Sequence, residues 1–308
     1  MPTMNGIAES EEISIKANTA KQSTEVYFKR YTGYKRSQLI GNIIFKIIML
    51  LVVLIVLFPF IWLLISSFKY EKDIINYPPK IFATHYTFEN YFKVWSTIPM
   101  FSYIKNTVIF AGGTMVISLL FDSMSGYAFA RMNFRGKNVL FYFILLTMMI
   151  PFQVFMIPLF IEINKFNLLD TYAGLIIPRA TTAFGIFMMR SFFVTMPKDL
   201  EDAARIDGLN EFGIYRRIMM PLAKPSLMAL AIFTLMNNWN DLLYPLILTN
   251  TTNMRTLPAG LALFSGQHIS FYGPVMAGAV ISMLPLFIIY IFAQKYFVQG
   301  TVMSGMKE

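Results

Sequence analysis

The chain has 308 residues, 56% of them hydrophobic and 14% charged, with a formal net charge of +9. A soluble chain carries about a quarter charged residues. This one carries 30 Phe and 22 Met instead, which excludes a disordered protein, a nucleic-acid binder and an ordinary cytosolic enzyme as first readings. In so apolar a chain the positive excess reports membrane orientation rather than an anionic partner. With no cysteine there is no disulfide, thiolate metal site or Cys nucleophile. The two histidines, His85 and His268, lie too far apart in sequence to argue for a metal or a general base.

Residues 1–38 are polar and end in Lys29, Arg30, Lys35 and Arg36. The apolar run that follows starts too late and is too long for a secretory signal, so the segment is expected to be a cytoplasmic tail before a retained helix. A helix needs about 20 mostly apolar residues to cross the hydrocarbon core. Six stretches qualify: residues 43–65, 106–130, 139–161, 173–189, 226–248 and 273–293. The second contains Asp122, the fourth Arg179 and the fifth Asp241. The expected fold is all-α and polytopic, with a permease domain over residues 39–296 and a tail over 297–308. With the N-terminus inside, the inner connections hold sixteen Lys and Arg and the outer ones six, so both termini are predicted to face the cytoplasm.

The connection 196–225 differs from the others. Pro197 suits a helix start, and Asp199, Glu201 and Asp202 put negative charge where the helix dipole favours it. Leu200, Ala203, Ala204 and Ile206 supply a small apolar face, and Asp207-Gly208 ends the helix. A second helix is predicted from Asn210, as N-cap, to Met220, with Pro221 and Pro225 stopping it. On pattern alone this is either a docking element or an amphipathic helix anchored on headgroups by Arg216 and Arg217.

Polar groups within spans need a reason, since a charge at mid-membrane costs about 2.5–3.5 kcal/mol on insertion scales. Asp122 is expected to pair with Arg131 or Arg190. Asn237, Asn238, Trp239, Asn240 and Asp241 form a polar run that suits either a hydroxyl-rich ligand or packing between subunits. Arg179 either faces a path for an anionic sugar or is a snorkelling or paired arginine. Gln153, with Phe152 beside the helix-kinking Pro151, is a further path candidate, and Pro158, Pro178 and Pro285 likewise mark kinks.

Glu201-Asp202-Ala203-Ala204, Asp207-Gly208, Ile218 and Pro221 resemble the EAA loop of ABC importer permeases. The resemblance extends from about Leu39 to the C-terminus. Pro59-Phe60-Ile61-Trp62, Ser66-Ser67-Phe68-Lys69, Gly126-Tyr127-Ala128-Phe129-Ala130-Arg131, Phe134-Arg135-Gly136-Lys137 and Met149-Ile150-Pro151 are similar to MalG-like sugar-importer permeases. So are Leu169-Asp170-Thr171-Tyr172, Trp239-Asn240-Asp241, Thr256-Leu257-Pro258-Ala259-Gly260 and Val298-Gln299-Gly300. Arg179 departs from the family, where a small or neutral residue is usual.

The resemblance implies a multi-pass subunit of a bacterial plasma-membrane importer, working by alternating access beside a second, MalF-like permease. It implies a dimer of ABC ATPases below, gripping Glu201, Asp202, Ala203, Ala204, Asp207, Gly208 and Pro221, with Glu201 meeting a basic group on the ATPase. It implies an extracytoplasmic solute-binding protein above, docking on outer loops that carry Tyr91 and Trp95, and an oligosaccharide, neutral or acidic, as cargo. The C-terminal tail either reaches the ATPases or is merely a frayed end. The chain has no Gly-x-x-x-x-Gly-Lys-Ser/Thr loop, so it is expected to bind no cofactor or metal and to have no catalytic residues, with ATP and Mg used by its partner. An importer of a non-sugar solute remains open, as does an ion-coupled secondary transporter, for which no internal repeat is evident.

Overall fold

A computed structural model of the protein describes residues 41–305 apart from Thr84 and residues 268–270. The polar tail 1–38, His268 and residues 306–308 lie outside the described residues. The chain divides into two compact units, Met1–Trp62 and Leu63–Glu308. Helix α1 (Gly41–Ser67) is apolar on every side apart from Lys46, and its residues are exposed as far as Ile61, the surface expected of a helix solvated by lipid.

In the second unit, two short helices, α2 (Glu71–Ile74) and α3 (Glu89–Thr97), precede the long α4 (Met100–Arg131). At 1.5 Å per residue α4 is about 48 Å long, more than the roughly 30 Å hydrocarbon thickness. It packs most extensively against α8 (Ala183–Val194) and then against α12 (Lys224–Trp239). Small residues permit this approach: a Cβ on Gly126 would stand 2.6 Å from the Met189 Cβ. Close backbone contact through small residues is how membrane helices associate when lipid offers no hydrophobic driving force.

Three spans are broken. Helices α5 (Lys137–Thr147) and α6 (Phe152–Lys165) meet at 98°, with Pro151 as N-cap of α6. Helix α7 (Tyr172–Ile176) and a 3₁₀ turn (Ile177–Arg179) bend by 43° into α8. Helix α12 ends at Trp239, and α13 (Leu243–Leu248) resumes after residues 240–242, so the predicted fifth span is interrupted. With α1, α4 and the long α15 (Tyr272–Gly305), and with each of three bent pairs counted once, the third being Glu211–Leu222 with α12, the described residues hold up to six spans, the number predicted. Helix α14 (Leu257–Gln267) leads into α15, which continues unbroken past residue 297.

The break in the fourth span is held by Asp122, which is fully buried in α4. Its carboxylate accepts from Ser118 Oγ (2.5 Å), Thr181 Oγ1 (2.6 Å), the Thr182 backbone N–H (2.9 Å) and Thr182 Oγ1 (3.1 Å). The expected pairing with Arg131 or Arg190 is corrected here. Arg131 lies nine residues on, about 13.5 Å along the helix, and Arg190 stacks 4.1 Å from the Phe141 ring. Hydroxyls and a helix N-terminus stabilise the carboxylate instead.

A Cβ on Gly185 would collide with the Asp122 carboxylate, whereas one on Gly112 would meet nothing within 4 Å. Gly185→Ala should therefore cost about 1–3 kcal/mol through overpacking, and Gly112→Ala should be neutral or gain up to about 1 kcal/mol from helix propensity. Thermal unfolding of the detergent-solubilised variants, with the midpoint falling only for Gly185→Ala, checks this.

Candidate functional site

The connection predicted to be special folds as an elbow. Helix α9 (Asp199–Ile206) ends at Asp207, and Gly208 follows at φ +82°, a left-handed conformation that glycine adopts without a steric penalty. Asn210 then caps α10 (Glu211–Ile214), accepting at Oδ1 from the Gly213 N–H at 2.8 Å. A π turn (Tyr215–Met219) and α11 (Met220–Leu222) extend it, and the chain turns by 79° into α12. Pro221 and Pro225 do not stop this helix as expected. Each sits in the first turn of a helical segment, α11 and α12 respectively, where the missing N–H costs nothing.

The predicted apolar face of α9 is split in two. Ala204 is buried among Tyr127, Met189 and Tyr215. Leu200, Ala203 and Ile206, spaced by three, are exposed, Ile206 at 87%, and Phe212 is 58% exposed nearby. Asp202, Asp207, Gly208 and Pro221 are also exposed.

Glu201 points inward. Its Oε1 lies 3.0 Å from Arg131 Nε, both side chains being 5% exposed. The contact is an ion pair without the alignment of a hydrogen bond. Arg131 also donates Nη2 to the Met196 carbonyl, which ties the start of the elbow to the end of α4. The basic partner of Glu201 is thus found within the chain. Arg205 bridges Glu201 (3.4 Å), Asp202 (2.8 Å) and Glu211 (3.0 Å), and its hydrogen bond to Glu211 raises its pKa. Tyr127 donates to Glu211 Oε2 at 3.0 Å, and the Tyr215 and Ser123 hydroxyls meet at 2.8 Å. Three residues of α4 therefore grip the elbow at separate points.

The second site is a cleft of about 750 Å³ where the three broken spans converge, within the range of small-molecule sites. Its aromatic lining comes from Phe152, Phe155, Phe184, Phe233 and Tyr244. Its polar lining comes from Thr114, Thr181, Thr182 and Thr234, from Asn237, Asn238 and Asn240, and from Arg179. Broken backbone at membrane depth is tolerated only where it lines a cavity or is satisfied by protein, and both hold here. Asn238 Nδ2 donates to the Thr234 carbonyl (2.7 Å), Asn240 Nδ2 to that of Met236 (3.0 Å), and the Tyr244 N–H to Asp241 Oδ1 (3.1 Å).

Arg179 lies in this wall, paired. Nη2 bonds Asp241 Oδ2, Nη1 donates to Asn238 Oδ1 at 2.7 Å, and the guanidinium carbon sits 4.1 Å from the Tyr244 ring centroid. Of the predicted path residues, Arg179, Asn237, Asn238 and Asn240 line the cleft, and Asp241 stands behind Arg179. Trp239 is elsewhere: it is buried, and its indole N–H donates to the Ser282 carbonyl of α15 at 3.2 Å. Gln153 is exposed and outside the lining, while its neighbour Phe152 is part of it. At the other end of the spans, Tyr91 packs 5.0 Å from Phe68 and shares a 2.8 Å hydrogen bond with Ser67, whereas Trp95 is exposed.

Six spans, three of them broken beside a polar cleft, and an elbow tied to α4 define a polytopic membrane permease. The chain belongs to the family of binding-protein-dependent transport system inner membrane components, whose model matches residues 122–302. It is 37% identical over 256 residues to the arabinooligosaccharides transport system permease protein AraQ of Halalkalibacterium halodurans, covering 82% of this chain and 92% of the relative. It is 33% identical over 278 residues to the trehalose/maltose transport system permease protein MalG of Thermococcus litoralis, covering 88% and 99%. Among solved structures it is similar to a chain of a bacterial ABC transporter involved in the import of the acidic polysaccharide alginate. That match has a TM-score of 0.72 at 27% identity and covers 85% of this chain and 98% of the other.

Breaking a buried ion pair on one side costs about 3–5 kcal/mol, whereas replacing both partners by apolar groups is often neutral. Glu201→Leu and Arg131→Met should each lower the unfolding midpoint strongly, and the two together should recover most of the loss. A double-mutant cycle in detergent measures the coupling; additive losses would show that the pair does not hold the elbow.

Proposed function

We propose that the chain is one membrane-spanning subunit of an ATP-driven oligosaccharide importer in a bacterial plasma membrane. The observation that carries this reading is the elbow: an apolar stripe of Leu200, Ala203, Ile206 and Phe212 faces outward from a base locked to α4. A protruding apolar ridge on a rigid base suits a cleft on another protein. That protein is an ABC ATPase dimer, which uses ATP and Mg, since this chain carries no phosphate loop. Asp202, Ala203, Asp207, Gly208 and Pro221 belong to the docking surface. Glu201 and Ala204 belong to the joint that passes its movement to α4.

The inner connections hold most of the Lys and Arg, which supports an elbow and both termini in the cytoplasm. The opposite end, with exposed Trp95, faces a solute-binding protein, and a second permease of the MalF-like kind completes the path. The relatives named for arabinooligosaccharides and for trehalose and maltose support carbohydrate as cargo. The hydroxyl, amide and aromatic lining of the cleft fits such a ligand.

Affinity purification of the tagged chain from its native membrane should bring down an ATPase and a second permease. Ile206→Asp with Phe212→Asp should lose the ATPase by about tenfold or more while retaining the permease. Full retention of the ATPase would remove the elbow as its docking site, and sugar uptake by the chain alone, without ATP, would remove the importer reading.

A further inference from the structure

The charge balance of the cleft narrows the cargo beyond carbohydrate in general. We infer that this chain carries its own subsite for uncharged oligosaccharide, with Arg179 as a specificity-determining residue and Asp241 as its positioning partner; the inference rests on the carbohydrate-importer reading. Arg179 is the one permanently charged residue in the lining, and Asp241 cancels it at hydrogen-bond distance. Its flat face is covered by the Tyr244 ring at 4.1 Å. An anionic sugar that met Arg179 would bring a second negative charge beside the Asp241 carboxylate in a medium of low dielectric, where like charges repel strongly.

A hydroxyl brings no such charge. Guanidinium carries five N–H donors, and Asn238 and Asp241 engage only Nη1 and Nη2. The remaining donors share the plane that these two bonds fix, and each can serve a sugar hydroxyl. A second observation points to a ligand. Thr114 is fully buried, belongs to the cleft lining, and its Oγ1 has no hydrogen-bond partner among the described residues. An orphaned hydroxyl of this kind is costly to leave unpaired and is satisfied by a ligand hydroxyl. Asn237 presents a further amide to the same space. Fixed guanidinium, free hydroxyl and amide beside the Phe152 and Phe155 faces recognise neutral sugar.

The test uses the complete importer in proteoliposomes, with its ATPase, second permease and binding protein. Uptake is measured for neutral trisaccharides (arabinotriose and maltotriose) and for uronate trisaccharides (trigalacturonate and a mannuronate trimer). The wild type is expected to carry a neutral trisaccharide and to ignore the uronates. Asp241→Asn, which leaves Arg179 uncompensated, should lower neutral uptake by about thirtyfold or more and let uronates compete. Arg179→Gln with Asp241→Asn should restore neutral uptake to within a few-fold and abolish that competition, a recovery that a merely structural role would not give. Thr114→Val should raise KM for the neutral sugar with kcat little changed. Uronate uptake by the wild type, lost in Arg179→Gln, would overturn the proposal alone, as would single and double variants with identical selectivity. If neither class of sugar enters while another solute does, the carbohydrate reading fails and takes this proposal with it.

Discussion

Inside a bilayer a backbone N–H or C=O has no water to turn to, and every break in a span must be satisfied by protein. The architecture follows from meeting that demand three times in one place. At the fourth span, Asp122 receives the Thr182 N–H and two threonine hydroxyls. At the fifth, Asn238, Asn240 and Asp241 take over the donors and acceptors that the helix leaves behind. At the third, Pro151 opens α6 without requiring a donor of its own. The groups that repair the breaks also make the cleft polar, so its ligand chemistry and the integrity of its walls come from the same side chains.

Helix α4 connects the two sites. Asp122 holds the break above the cleft, and Ser123, Tyr127 and Arg131, spaced four residues apart, hold Tyr215, Glu211 and Glu201 of the elbow. Residues at that spacing share one face of a helix, so a displacement of the elbow bears on α4 along a single line. Its packing on α8 and α12 links it to two of the other walls of the cleft. This is a physical route between the ends of the molecule, built from an ion pair, two hydroxyl contacts and a buried carboxylate.

Much of this was legible from residue types. Apolar length and charge placement fix six spans, and Asn210 and Gly208 do in the structure what their chemistry leads one to expect. What escaped depends on direction. Leu200, Ala203, Ala204 and Ile206 read as one apolar face, yet the three-residue spacing of Leu200, Ala203 and Ile206 separates an outward stripe from the inward pair Glu201 and Ala204. Trp239 stands among cleft-lining asparagines in sequence, but one residue is a 100° turn on a helix, and the indole is carried to α15. Asp122 finds partners about sixty residues away, and hydroxyls leave no charge pattern by which to find them. The 98° turn at Pro151 was signalled as a kink, while its magnitude depends on where α6 must lie to line the cleft.

Arg179 and Asp241 meet across 62 positions of sequence, so the chain faces a difficulty while it is still being made. As the fourth span leaves the ribosome its arginine has no counter-ion, and entry into the bilayer by itself is disfavoured by about 2.5–3.5 kcal/mol. The carboxylate that relieves this emerges only after the whole elbow has been synthesised. Biogenesis is therefore pushed toward delayed, pairwise release of the two helices from the insertion machinery.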